Sequence, residues 1–88
     1  MNIDVHKATE AEIKKLGAKN WPIWTCPASS FDYQYDDQET CLILEGQVTI
    51  EAADHKVSFG PGDIVIFPKG LSCKWIVSKA VKKHYKFG

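Results

Sequence analysis

The middle of the chain carries phenol, carboxylate and thiol side chains at spacings that place them on shared strand faces. Phe31, Tyr33 and Tyr35 alternate with polar residues, and a period of two puts alternate side chains on one face of a β-strand. By the same reasoning, Glu39 and Cys41 share a face of the next strand. A carboxylate in an apolar interior is unstable unless it is paired or protonated. Glu39 is therefore the strongest candidate for a functional residue.

A later strand adds a thiol and an indole to this set. Cys73 and Trp75 are also two residues apart. If these faces line one interior space, the space is mostly apolar with a few polar groups, which suits a small organic molecule. The predicted ligand-binding residues are Tyr33, Tyr35, Glu39, Cys41, Cys73 and Trp75. Each of these residue types is also common as an ordinary core residue, so a purely structural role is the competing interpretation.

One short helix and a series of strands must position these side chains. Residues 9–17 are predicted to form the helix, because Thr9 and Glu12 have capping-box spacing and Gly17 suits a left-handed C-cap. About seven short strands follow, separated by Gly and Pro turns, which indicates an all-β sandwich or small barrel. Besides the strand at 31–36, the predicted strands are Thr40–Glu45, Gln47–Ala53, Val57–Phe59, Ile64–Phe67, Lys74–Val77 and Val81–Phe87.

Composition limits the classes of protein that fit. The chain has 88 residues, which allows a single domain over residues 1–88. Eleven basic and eleven acidic residues give a formal net charge of +0, and there is no arginine, so nucleic-acid binding is not expected. No apolar run approaches the roughly 20 residues of a membrane span. Three widely spaced cysteines and the lack of a signal-peptide pattern lead us to expect reduced thiols and a cytoplasmic protein.

Two glycine-containing patterns resemble the sequence motifs of cupins. Glu39, six further residues and Gly46 resemble the end of the first cupin motif, and Gly62, five residues and then Pro68-Lys69-Gly70 resemble the second. The resemblance covers about residues 20–88 and is most specific to the small single-domain cupins grouped with the cupin domain of (S)-ureidoglycine aminohydrolase. It rests on WPIW at 21–24, FDYQYD at 31–36, ETC at 39–41, LEG at 44–46, GD at 62–63, FPKGL at 67–71, CKW at 73–75 and KHY at 83–85. It implies a cupin jelly-roll barrel with one short N-terminal helix.

The same resemblance bears on metal binding. Metal-binding cupins use three histidines and a glutamate to hold a divalent ion. Their positions fall here on Tyr33, Tyr35, Glu39 and Cys73. Only the carboxylate is kept, so we predict no histidine-type metal site, with a divalent transition metal held by Glu39 and Cys73 as the alternative.

Three functions stay open at this point. We favour a metal-free cupin that binds a small organic molecule; whether it is an enzyme is left undecided. A metal-dependent enzyme of the ureidoglycine aminohydrolase type, acting on a ureido or amide compound, is the second. The third is a non-catalytic dimeric interaction module, because Leu42 and Leu44 face away from Glu39 and need cover. That cover could come from the second sheet edge, from the helix or from another chain. We expect a homodimer.

The basic C-terminal segment is the last feature with more than one interpretation. The closely spaced charges of Lys82–Lys86 are compatible with binding to phosphate or nucleic acid. A solvated edge strand protected by lysines explains them as well. Alternation places His84 and Tyr85 on opposite faces of this strand. The sequence does not decide which of the two faces the cavity.

Overall fold

The structure, a computed structural model, describes all 88 residues and contains seven strands, one α-helix and one 3₁₀ turn. None of its helices has the length and apolar character needed to cross a bilayer. In chain order the elements are β1 (Asp4–Lys7), α1 (Glu10–Leu16), the 3₁₀ turn Ala18–Asn20, β2 (Ile23–Cys26), β3 (Ser29–Gln34), β4 (Glu39–Ala52), β5 (Lys56–Phe59), β6 (Asp63–Phe67) and β7 (Ser72–Phe87).

The strands form two layers that share the long strands β4 and β7. One layer has the order β1-β6-β4-β7-β2. The other consists of β5 on β4 and β3 on β7, with all pairs antiparallel. The predicted all-β architecture with one short helix is confirmed. The prediction of a closed barrel is wrong, because β1, β2, β3 and β5 each pair with only one neighbouring strand. The strands form a jelly-roll-like sandwich instead.

Gly46 allows β4 to pass from one layer to the other without a break. The pairing of β4 with β7 shifts register three times between Ile43 and Val48. Gly46 lies inside this irregular segment with φ +104°, a value that L side chains rarely adopt. The sequence pattern predicted two strands separated at Gly46, and two more separated between Val77 and Val81. Both predictions are wrong, because the bends keep enough backbone pairing for β4 and β7 to continue.

The N-terminal segment forms a strand that the sequence analysis did not predict. β1 pairs with β6 over four residues, from Asp4 opposite Ile66 to Lys7 opposite Asp63. The helix that follows has the predicted caps: Thr9 accepts a hydrogen bond from the Glu12 backbone N–H at 3.2 Å, and Gly17 ends the helix with φ +66°.

Helix α1 and the 3₁₀ turn cover the outer face of the larger layer. Leu42 and Ala18 are buried together there, and Ile13 and Leu44 pack against them. Leu42 and Leu44 were the sequence-based reason to expect a second chain on this face. The cover comes from the chain's own N-terminal segment, so the homodimer stays a prediction without that support.

The main core lies between the two layers. It contains 14 buried residues, among them Cys41, Ile43, Val65 and Trp75, which come from strands of both layers. The predicted shared faces are therefore observed: Glu39, Cys41 and Ile43 are all buried on β4, and Cys73, Trp75 and Val77 are all buried on β7. One end of this interior is not filled by side chains.

Candidate functional site

The unfilled end of the sandwich is a cavity of about 180 Å³. Two charged residues, Glu39 and Lys83, line part of this cavity. The rest of its wall consists of aromatic side chains from β2, from β3 and the segment that follows it, and from β7. These are Trp24, Phe31, Tyr33, Tyr35, Trp75, Tyr85 and Phe87.

Strand register brings Glu39 and Lys83 together although they are 44 residues apart in sequence. Glu39 is the first residue of β4 and lies opposite Phe87, while Lys83 lies opposite Ile43 on the same strand pair. The long lysine side chain runs along the interior face past Cys41. Its Nζ atom donates a hydrogen bond to Glu39 Oε2 at 2.9 Å. Both residues are 4% exposed, so the ion pair is largely shielded from solvent.

The Lys83 ammonium also contacts a thiol and two indole rings. Nζ lies 3.4 Å from Cys41 Sγ. It lies 4.9 Å from the ring centroid of Trp24 and 4.8 Å from that of Trp75, within the range of a cation–π interaction. The negative charge of Glu39 and the π faces of the two indoles thus all stabilise one positive charge.

Two tyrosines occupy different depths of the cavity. Tyr35 is 1% exposed and accepts a hydrogen bond from Trp75 Nε1–H at 3.1 Å. Burial, and secondarily the Glu39 carboxylate, raises the pKa of the Tyr35 hydroxyl far above its usual range. Tyr33 is 40% exposed at the mouth, with its ring centroid 4.6 Å from that of Tyr35. Burial also raises the pKa of Tyr33. Both hydroxyls are therefore neutral hydrogen-bonding groups near pH 7.

The structure brings four of the six predicted site residues to the cavity wall. These are Tyr33, Tyr35, Glu39 and Trp75. Cys41 lies behind Lys83 and contacts its ammonium rather than the cavity. Cys73 lies opposite Tyr33 across the strand pair and packs in the main core instead of lining the cavity.

Lys83 is the charged cavity residue that sequence reasoning missed. The interpretation of Lys82–Lys86 as a solvated edge strand is wrong, because β7 is flanked by β4 and β2 and every second residue of this segment faces the interior. The signal was present in the alternation of Val81, Lys83, Tyr85 and Phe87, which reads as one face.

The outward side of the same strand carries His84. Its Nδ1 atom is 2.9 Å from the carbonyl oxygen of Trp21. Tyr85, not His84, faces the cavity.

The residues at the cupin metal positions do not fit a divalent ion. No group of three His, Cys, Asp or Glu side chains converges anywhere in the chain. The Glu39 carboxylate is bound to an ammonium, and burial raises the pKa of the Tyr33, Tyr35 and Cys73 donors, which ligate only when ionised. The alternative site of Glu39 and Cys73 is not supported, because Glu39 instead pairs with Lys83.

Comparison with known proteins identifies similar structures that match between about three quarters and nearly all of this chain. The chain is 43% identical to a DUF861 family protein from Thermotoga maritima, with a TM-score of 0.96 over 99% of this chain and 100% of that one. The EutQ protein of Clostridium difficile is 22% identical with a TM-score of 0.68, over 74% of this chain and 52% of that one. A putative ethanolamine utilization protein from Salmonella typhimurium is 20% identical with a TM-score of 0.68, over 74% and 53%. These last two share the fold, and this chain spans about half their length.

A search of curated proteins gave no match. The specific relationship to the cupin domain of (S)-ureidoglycine aminohydrolase stays a prediction. The model of the EutQ-like cupin domain matches residues 13–85, which is most of the chain. Together with the full-length similarity to the Thermotoga maritima protein, this match shows that the chain belongs to the EutQ-like cupin domain family.

Proposed function

We propose that this protein binds a small, uncharged organic molecule in the aromatic cavity between its two layers. The proposal depends on one observation: the cavity has aromatic walls, and the two charged side chains in it, Glu39 and Lys83, neutralise each other as an ion pair. A charged ligand would lose its hydration there without a free countercharge to replace it. An uncharged ligand would not meet this cost.

The size of the cavity limits the ligand to about one ring. Pockets for drug-sized ligands have volumes of roughly 300–1,000 Å³, and this cavity has about 180 Å³. The cavity walls are mostly aromatic rings, and the flat faces of such rings favour a planar molecule.

Polar groups at the cavity wall supply both a hydrogen-bond acceptor and a donor. Glu39 Oε2 accepts a hydrogen bond from Lys83 Nζ, and the Glu39 carboxylate, which lines the cavity, is the acceptor offered to a ligand. The Tyr35 oxygen accepts from Trp75, which leaves its O–H free to donate. A ligand with one donor and one acceptor near each other, as in an amide or lactam, matches these two groups.

Three ring compounds of similar shape and different charge test the proposal. Benzamide, benzoate and benzylammonium should be titrated against the protein, with binding followed by Trp fluorescence and thermal unfolding. We expect benzamide to raise Tm and to perturb the emission of the cavity indoles, because ligands that bind the folded state stabilise it. The two charged compounds should have much weaker effects.

Variants at the cavity mouth and outside it provide the control. Tyr33→Ala removes part of the cavity wall and should weaken benzamide binding by about tenfold, in line with the loss of one aromatic contact. Ile23→Ala changes a residue that is exposed and does not line the cavity, and should leave binding unchanged. Equal responses to all three compounds, no response to benzamide, or unchanged binding by the Tyr33 variant would reject the proposal.

A further inference from the structure

We propose that the cavity contains a built organic-cation site whose occupant is the protein's own Lys83 ammonium. This inference does not depend on the identity of the ligand. It predicts that a shortened Lys83 side chain leaves a site that takes up a free alkylammonium ion.

The contacts around Lys83 Nζ come from three strands and converge on one point. Glu39 Oε2 on β4 lies at 2.9 Å and Cys41 Sγ, also on β4, at 3.4 Å. The Trp24 ring on β2 and the Trp75 ring on β7 have their centroids at 4.9 and 4.8 Å. One carboxylate with two indole faces is the arrangement that aromatic cages use for ammonium ligands.

The donor types distinguish an organic cation from a metal ion. A transition metal needs several lone-pair donors in its coordination sphere. Around Nζ only Glu39 supplies an ionised donor, because burial raises the pKa of the Cys41 thiol to about 12. The remaining contacts are ring faces, which attract a cation without coordinating a metal.

The missing atoms of a truncated lysine define the probe. Lys83→Ala keeps Cβ and removes three methylene groups and the ammonium, which together correspond to n-propylammonium. The experiment measures Tm of Lys83→Ala with n-propylammonium chloride, 1-propanol, sodium chloride or zinc chloride. We expect n-propylammonium to raise Tm of this variant by several degrees and to leave the wild-type Tm unchanged.

The other additives distinguish the charge from the alkyl chain and from a metal. 1-Propanol and sodium chloride should not raise Tm of Lys83→Ala, and Glu39→Gln/Lys83→Ala should not respond to n-propylammonium. A zinc response without an n-propylammonium response would overturn the proposal. So would equal rescue by 1-propanol.

A second pair of variants covers the case in which Lys83→Ala does not fold. Lys83→Met keeps the volume of the side chain but leaves Glu39 without its cation, whereas Glu39→Gln/Lys83→Met removes both charges. We expect the double variant to unfold at a higher urea concentration than Lys83→Met. Equal midpoints for the two variants would show that no cation is required at this position.

Discussion

At the residue scale, the interior polar groups of this protein are arranged as two linked pairs. Glu39 binds the Lys83 ammonium, and Trp75 both faces that ammonium and donates its indole N–H to Tyr35. Each of these four buried side chains therefore has a polar partner, as the cost of desolvation requires. Trp75 joins the charged pair to the phenol and holds both at the cavity wall.

Replacing Tyr35 with Phe tests the contribution of this second pair. The change removes the acceptor of the Trp75 N–H while keeping the stacked ring, which lies 4.7 Å from the ring of Phe67. We expect a loss of about 1–3 kcal/mol in the free energy of unfolding, because a buried donor is left without a partner. Urea unfolding measures it. Tyr33→Phe, at an exposed position, is the control and should change stability by less than about 0.5 kcal/mol.

At the element scale, two long strands decide where the site lies. Each of β4 and β7 runs through both layers, with one half of the strand in each. Their pairing places the first residue of β4 beside the C-terminal end of β7. Gly46 makes the bend of β4 feasible. A Cβ atom at this position would lie 2.6 Å from the carbonyl oxygen of Ala80 and 2.6 Å from Val81 Cα.

Gly46→Ala should therefore be strongly destabilising. The backbone at φ +104° disfavours any L side chain, and the neighbouring atoms are backbone atoms that cannot rotate away. We expect a loss of more than about 3 kcal/mol in the free energy of unfolding, measured by urea. Gly17→Ala is the matched control: its φ is also positive at +66°, but nothing lies within 4 Å of the added atom. Its expected cost is about 1 kcal/mol.

A histidine links β1 to helix α1 and makes their contact depend on pH. His6 Nδ1 lies 3.0 Å from Asp4 Oδ1, and its Nε2 lies 2.8 Å from Glu12 Oε2. Hydrogen bonds to Asp4 and then to Glu12 raise the pKa of His6 above its ordinary 6.5. The folded state thus binds the proton more tightly than the unfolded chain.

The contribution of His6 should be present at low pH and lost at high pH. Because its folded pKa is raised, the stabilisation is complete below about pH 6.5 and disappears as the pH rises through the folded value. We expect His6→Gln to lower Tm relative to wild type in the acidic range. At a pH well above the pKa of His6 in the folded protein, the substitution should have no effect on Tm. A constant difference in Tm across the range would contradict the assignment.

At the scale of the whole molecule, both faces of the larger layer are covered by the chain itself. The inner face packs on the smaller layer, and the outer face packs on helix α1 and the 3₁₀ turn. The three cysteine thiols differ in how far this covering shields them from solvent. Cys41 and Cys73 are buried, whereas Cys26 is partly exposed in β2.

Thiol modification should therefore separate the three cysteines. We expect one fast reaction with Ellman's reagent in the native protein, from Cys26, and three reactive thiols in urea. Burial raises the pKa of Cys41 to about 12 and raises that of Cys73, so both also lack thiolate. Cys26→Ser should abolish the fast phase. A fast phase that persists in this variant would show that the interior opens readily.

Local patterns in the amino-acid sequence were enough to predict the local features of this protein. Alternation identified the strand faces of Glu39 with Cys41 and of Cys73 with Trp75, and the caps of α1 were evident from Thr9 and Gly17. Such patterns depend on neighbours a few residues apart, where backbone geometry decides which side chains share a face. The two cupin motifs, in addition, predicted the overall jelly-roll fold.

How these strand faces meet depends on the folded chain as a whole. Lys83 stands in a run of basic residues, and its burial depends on β7 being a central strand rather than an edge. Its partner Glu39 is 44 residues away, and the register that joins them results from two bends whose extent no local pattern specifies. A lysine on a strand is exposed or buried according to what packs over it, and that is a property of the assembled layers.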